Sequence, residues 1–540
     1  MLHRRSSLQG RLVSLGALSA LGLLLGAAPA QAAVTLATEA AADFDATVQA
    51  EGLQQPVDVA VLPDGKVLVI TRTGDVLIYS EPNGEPTEQH IDVDSGPAEQ
   101  GLLGVVLDPG FATNQFIYFY ASLGEQSENR HHVVRYKLGA DGMLSMPTPV
   151  ITMGLRGPAN HNGGAIDIHD GNLYIGVGDT GANATPPQNK FGSCLNIANG
   201  KVLRVSLAEA TLGQPAAGNP LENEAMVTGC TSTGGDLGMQ APDKRIFAWG
   251  FRNPFRLWVD PSSGKVWVGD VGEEAREEIS IVEAGKHYGY PFEEGTVVYD
   301  QDFKPANGCM GLTPASECIK PVHDWARAGG GTSIGGRILD GCGWPDAWKS
   351  RYIFGDYVQD DIWTLEVNAG RDGIVANSLQ DFASADGPVA FRMGTDNALY
   401  IAESASGTVT RITPKGMAPA PNSCPDVNDP PGSNPGGGSG AGGGASGGNA
   451  ATAGNSSGGN GSGGTMSGVG MSGTGGTTSG NTSGNSSGGS GNPATGGSSG
   501  DSGGCGCRTV GHAGSLTLGF GALAGALGLS LLRRRRGRRS

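Results

Sequence analysis

Three side chains in this sequence have types that could do chemistry together. His161 lies in Asn160-His161-Asn162-Gly163-Gly164, Asp179 follows Gly178, and Arg252 lies in Gly250-Phe251-Arg252-Asn253-Pro254. A histidine works as a general base near neutral pH, a carboxylate can orient it, and a guanidinium can hold an anionic group. Each also has a structural reading. His161 could bond a turn backbone, Asp179 could satisfy turn amides at a strand end, and Arg252 could form an ion pair. Only a fold that brings distant segments together turns the three into a site.

The elements that must do this are short strands. Val57 to Leu62 alternates apolar residues, turns at Pro63-Asp64-Gly65, returns as Val67 to Ile70, and continues as Asp75 to Tyr79. Gly164 to Ile168, turn His169-Asp170-Gly171, and Leu173 to Val177 repeat the unit. So do Phe255 to Val259, turn Asp260 to Gly264, and Val266 to Gly269, and again the stretch Val389 to Ile412. Further pairs fall at Gly104 to Ala121 and Arg351 to Val367. Short strands separated by turn signals predict a sandwich, barrel or propeller, and a repeated strand–turn–strand unit favours four-stranded blades arranged radially. The expected fold class is therefore all-β, a six-bladed β-propeller over residues 33–424.

The ends read as addresses. Arg4, Arg5 and Arg11 precede the apolar stretch Leu12 to Ala28, and Ala30-Gln31-Ala32 supplies a small-residue cleavage site, so residues 1–32 are expected to be a secretory signal peptide. Residues 425–504 are dominated by Gly, Ser, Asn and Thr and cannot bury enough surface to offset their ordering entropy. As a disordered coil this linker would span roughly 50 Å root-mean-square. Ala513 to Leu532 is uncharged and long enough for a C-terminal transmembrane helix, with Arg533 to Arg536 behind it on the cytoplasmic side. Together with Cys505 and Cys507, residues 505–540 resemble the MYXO-CTERM class of sorting tails. The resemblance implies an exported protein, at the cell surface or released after processing, that meets a membrane only through this tail.

Of 36 Lys and Arg, three lie in the first 32 residues and seven from Arg508 onward, and neither segment carries an acid. Between them stand 26 basic against 52 acidic residues, a net of −26. Such a surface repels nucleic acid and suits divalent cations and small neutral substrates. Cys194, Cys230, Cys309, Cys318, Cys342 and Cys424 make an even set, which in an exported protein favours disulfides; Cys309 with Cys318 is the simplest local pair.

Six motifs occur in a family order: Gly101-Leu102-Leu103-Gly104 to Phe111, His161-Asn162-Gly163-Gly164 to Asp179, Gly200 to Val205, Gly250 to Pro254, Asp270-Val271-Gly272 to Ile279, and His287-Tyr288-Gly289-Tyr290-Pro291. Together they resemble the glucose/sorbosone dehydrogenase family, the soluble pyrroloquinoline quinone (PQQ)-dependent aldose sugar dehydrogenases, over about Leu53 to Thr413. The resemblance implies a site at the mouth of the central channel. His161 matches the base that takes the anomeric hydroxyl proton as hydride passes to the quinone, Asp179 the carboxylate that orients it, and Arg252 the cation on the quinone oxygen. Asn253 matches a cofactor contact, and Gly272 and Glu273 match backbone ligands of a calcium ion. The implied partners are an aldose and an electron acceptor that the sequence does not identify. Asp340 and Gln359 stand where the glucose-oxidising members place cations, which raises the alternative of a non-catalytic, calcium-stabilised propeller binding a carbohydrate or protein. Glu273, Glu274, Glu277 and Glu278 read as a solvated acidic face, and Trp325, Trp344, Trp348 and Trp363 as blade contacts.

Overall fold

The computed structural model describes residues 34–416 except 97–98, 124–129, 155–159, 182–190, 231–235, 299–317, 328 and 342. The expected signal peptide, linker and tail (1–32, 425–504 and 505–540) and Cys309, Cys342 and Cys424 lie outside the described residues. The described chain is all-β, with six antiparallel sheets of four or five strands that form the blades of a propeller. Blade 1 runs Pro56–Val61, Val67–Thr71, Asp75–Tyr79 and Thr87–His90. The first strands of the next five blades are Leu102–Leu107, Ile166–His169, Pro254–Val259, Ser333–Leu339 and Pro388–Met393. Helix is confined to Thr38–Asp43, Phe111–Asn114 and two short 3-10 turns among the described residues.

The ring closes through the chain's two ends. Blade 6 takes its second and third strands from Leu399–Glu403 and Thr408–Pro414, and its fourth from Phe44–Ala50 near the N-terminus. The closing pair runs from Phe44 opposite Pro414 to Ala50 opposite Val409. The expected last strand at Val409 to Ile412 is thus present, paired with a partner that the repeat did not reveal.

First strands of neighbouring blades lie side by side around the axis, so close that side chains are excluded at some positions. A Cβ on Gly104 of blade 2 would sit 2.1 Å from the Gly164 carbonyl oxygen, just ahead of blade 3. A Cβ on Gly335 of blade 5 would sit 3.0 Å from the Arg256 oxygen of blade 4. Between blades the gaps are filled with apolar and aromatic layers, such as Trp267 of blade 4 stacked on Tyr352 of blade 5 at 4.5 Å. Trp344 and Trp348 are buried in the layer around Phe44, as expected of packing residues.

On the axis sits an ionic group that sequence patterning did not indicate. Arg256, 2% exposed, reaches across the channel and donates Nε to Val389 O (2.7 Å), Nη2 to Val57 O (2.8 Å) and Nη1 to Leu103 O (3.2 Å). These carbonyls belong to the second residues of the inner strands of blades 6, 1 and 2, so one side chain ties four blades together. Asp58 accepts both Nε (2.8 Å) and Nη2 (2.6 Å) of Arg392, and the Val105 N–H (3.2 Å). Burial works to raise the Asp58 pKa, but the Arg392 charge and hydrogen bonds hold it below the usual aspartate value. This layer closes the channel just below the ends where the inner strands begin.

Candidate active site

The end of the propeller where inner strands begin and second strands finish collects every sequence-predicted site residue. His161 precedes the inner strand of blade 3, and Asp179 follows its second strand, Asn172–Val177. Arg252 and Asn253 immediately precede Pro254–Val259, and Gly272 and Glu273 follow Val266–Asp270. Antiparallel pairing therefore delivers all six to one mouth, at blades 3 and 4.

His161 Nδ1 lies 2.7 Å from Asp179 Oδ1. Asp179 is fully buried. Burial works to raise its pKa, yet the His161 ring, its hydrogen bond and the Arg252 charge prevail and hold it below the usual value. An ionised Asp179 accepts a hydrogen bond from Nδ1–H, so a neutral ring presents Nε2 as the basic nitrogen. Nε2 makes no hydrogen bond among the described residues, and the side chain is 12% exposed. The His161 backbone has φ of 53°, a left-handed conformation that costs a non-glycine residue about 1 kcal/mol. Local bonds hold it there: its N–H donates to Glu99 Oε2 (2.7 Å) and its carbonyl accepts the Thr180 N–H (3.1 Å). Gly178 has no room for a Cβ, which would come 2.0 Å from the His161 carbonyl oxygen.

Arg252 is brought beside this pair by the Asp179 N–H, which donates to the Arg252 carbonyl at 2.7 Å. Its guanidinium donates to Glu273 Oε2 (2.5 Å) and Val271 O (3.2 Å). Burial opposes its charge, but Glu273, Tyr290 and Asp179 raise its pKa and keep it a cation. The pair is within blade 4 and faces the mouth, so it does not join two blades. Asn253 is turned inward: its Oδ1 accepts the Gly163 N–H at 2.9 Å, two residues past His161. The expected cofactor contact is thus also a brace for the histidine loop.

The acidic segment differs from expectation. Glu277 is fully buried and Glu278 is 5% exposed, so they are not a solvated face. Burial pushes Glu277 up to about 8, and it pushes Glu278 well above its usual value, with Asp270 opposite adding to it. Arg327 and the Ser333 N–H (2.7 Å) partner Glu277. Glu294 accepts four successive amides, from Glu273 (3.0 Å), Glu274 (3.2 Å), Ala275 (2.7 Å) and Arg276 (3.1 Å), which fixes the loop carrying the two expected metal ligands. No set of three or more His, Cys, Asp or Glu is arranged around a metal among the described residues. A cation here would rest on backbone carbonyls, a hard-oxygen donor set that suits calcium. Arg252, held by Glu273, is the cation at this end of blade 4 that could face an anionic group.

Asp340 is a correction. It follows the last residue of Ser333–Leu339, at the opposite end of the inner strand from the mouth, and Arg371 holds it at 2.7 Å. Seven strand residues at about 3.3 Å each separate it from the mouth. It therefore takes no charge away from a site at His161. Gln359 does lie on the mouth side, in the turn after Arg351–Asp356, where its N–H donates to Asp356 Oδ1 (3.1 Å). Cys194 and Cys230 form a disulfide, and Cys318 is also disulfide-bonded.

Residues the sequence did not single out complete the mouth. Glu99 anchors the His161 amide. Asp270 accepts the N–H groups of Arg252 and Asn253. Lys201, fully buried, donates to the carbonyls of Phe191 (2.6 Å), Gly192 (3.0 Å) and Asn199 (2.6 Å) in the adjoining loop. Glu99, Asp270 and Lys201 sit in or beside the quoted motifs, which was the available signal.

The family model described as Glucose / Sorbosone dehydrogenase matches residues 53–411. The chain is 26% identical over 385 residues to the aldose sugar dehydrogenase YliI of Escherichia coli K12, covering 68% of this chain and 94% of that protein. It is 25% identical over 312 residues to quinoprotein glucose dehydrogenase B of Acinetobacter calcoaceticus, covering 53% and 59%. The PQQ-bound aldose sugar dehydrogenase of Streptomyces coelicolor shares the fold, with a TM-score of 0.52 and 21% identity over 69% of this chain and 98% of that one.

Proposed function

This chain belongs to the glucose/sorbosone dehydrogenase family, and from that premise we propose that it oxidises aldose sugars to lactones with PQQ, assisted by calcium. The observation that supports this reading is the His161–Asp179 pair at 2.7 Å, with Arg252 tied to the same aspartate. His161 Nε2 takes the proton of the anomeric hydroxyl. Asp179 keeps the ring in the tautomer that can do so and stabilises the imidazolium that results. Loss of that proton lets the C1–O bond become a carbonyl as C1–H departs as hydride. PQQ, when bound, supplies the two-electron acceptor for that hydride. Arg252, with Asn253 beside it, would hold the quinone by charge, and Gly272 and Glu273 would offer carbonyls to calcium. The axial layer of Arg256 and Asp58 closes the channel beneath, so sugar and cofactor share one opening.

The non-catalytic alternative drew its support from Asp340, which lies at the far end of blade 5, and from Gln359, which lies on the mouth side. Purified protein supplied with PQQ and calcium should reduce a redox dye in the presence of at least one aldose. Failure to bind PQQ, with no aldose-dependent reduction, overturns the enzyme reading. The same proposal has the propeller work outside the cytoplasmic membrane, tethered through residues 425–540 as the tail resemblance implies. Protease added to intact cells should release the body, and its full protection contradicts the location.

A further inference from the structure

The mouth has two working arms, and both start from one corner of the chain. Arg252 reaches toward Glu273, while Asn253 Oδ1 accepts the Gly163 N–H (2.9 Å) in the loop that carries His161. The Arg252 carbonyl accepts the Asp179 N–H (2.7 Å), so the carboxylate that orients His161 hangs from the same corner. What fixes the corner is Asp270, the last residue of the second strand of blade 4 and only 2% exposed. Its Oδ2 accepts the Arg252 N–H at 3.0 Å and its Oδ1 the Asn253 N–H at 2.7 Å. Two consecutive amides held by the two oxygens of one carboxylate leave the peptide between them little freedom to turn. Strand pairing adds to this: Asp270 is in register with Pro254, and the Val271 N–H donates to the Asn253 carbonyl at 3.1 Å.

We propose that Asp270 is a positioning residue for this site, setting the cofactor-binding arm through Arg252 and the proton-abstracting arm through Asn253 and Asp179. The inference rests on the proposed PQQ-dependent reading. It adds a residue that touches neither sugar nor cofactor and yet governs both. A burial role alone would give loss of stability and nothing more. A positioning role gives a combined loss of cofactor affinity and turnover.

The test uses Asp270→Asn. An asparagine keeps one acceptor oxygen and turns an NH2 toward the other amide, so one of the two amide bonds is lost. The PQQ dissociation constant, read by titration of the purified protein, should rise and kcat should fall, each by roughly 10- to 100-fold, with the aldose KM little changed. Val268→Ala cuts into the buried core of the same strand. After correction for any unfolded fraction it should leave PQQ affinity and kcat near wild type. In an Arg252→Ala background, D270N should add little to the loss of PQQ affinity, because it acts through that residue. Independent, additive effects, or a D270N protein with wild-type affinity and turnover, overturn the proposal. A wild type that binds no PQQ overturns the enzyme reading and this inference with it. Should D270N fail to fold, amide exchange on the wild type decides. The Arg252 and Asn253 amides should exchange as slowly as those of the inner strands, and exchange at loop rates overturns the assignment.

Discussion

The mouth and the axis of this propeller are both built from carboxylates against basic side chains, and they do opposite work. On the axis, Asp58 holds both Arg392 nitrogens and two amides, and Arg256 spends its donors on carbonyls of several blades. At the mouth, Asp179 holds His161 by one ring nitrogen, and the other makes no hydrogen bond among the described residues. The contrast between histidines is the same. His287 has both ring nitrogens engaged, Nε2 with Ser193 Oγ (2.8 Å) and Nδ1 with the Gly289 N–H (2.9 Å), and burial pushes its pKa down to about 3. A buried polar group with every valence used is structure; one held on one side and open on the other is available for chemistry.

Breaking the axis should have the largest effect. Asp58→Ala leaves Arg392 buried without its carboxylate, which costs roughly 3–5 kcal/mol. Denaturant unfolding should show that loss, while kcat per folded molecule stays near wild type. At the mouth the balance reverses. Arg252→Ala should weaken PQQ binding by about 1.5–3 kcal/mol, the range for a hydrogen bond to a charged group, with a smaller change in unfolding midpoint. If D58A spares stability, or R252A spares PQQ affinity, the division between the two regions fails.

The locked histidine sharpens the comparison through pH. His287 has a folded pKa of about 3, against about 6.5 for an unperturbed histidine. As pH falls below about 6.5 the unfolded chain takes up the proton first, so stability is full above that pH and declines toward pH 3. His131, pushed down to about 4 by burial and by His132, acts in the same direction. His287→Gln should therefore flatten the acid slope of unfolding free energy by about 1.4 kcal/mol per pH unit between pH 6 and 4. An unchanged slope would mean that His287 titrates normally. The smallest effect belongs to the far end of blade 5. Asp340→Asn breaks an ion pair with Arg371 whose aspartate is 37% exposed, so it should cost under about 1 kcal/mol. PQQ affinity should not change, and a change would return Asp340 to the site.

Much of this was legible in sequence for a physical reason. Alternating apolar runs broken by turns such as Asp64-Gly65, Asp170-Gly171 and Asp260 to Gly264 state a strand pair locally, and the observed Val67–Thr71, Asn172–Val177 and Val266–Asp270 fall where those runs stand. The pairing of the closing strand Phe44–Ala50 was not legible. Phe44, Ala46, Val48 and Ala50 alternate with Asp45, Thr47 and Gln49 in a strand pattern, but the segment stands apart from the repeated unit and its partner lies at the other end of the chain. His161, Asp179 and Arg252 were found through their glycine-rich neighbours. Asp270 and Glu294 were not assigned roles because they bind backbone amides, and any residue supplies an amide. Asp340 was misplaced because sequence order does not say at which end of a seven-residue strand a residue emerges.

His161→Ala tests the central claim most directly. The variant, reconstituted with PQQ and calcium beside the wild type, should bind PQQ with near wild-type affinity and keep its unfolding midpoint. Its kcat for the best aldose should fall by roughly 10²–10⁴-fold, the contribution typical of a general base. A variant that binds PQQ and turns over at the wild-type rate would contradict the account.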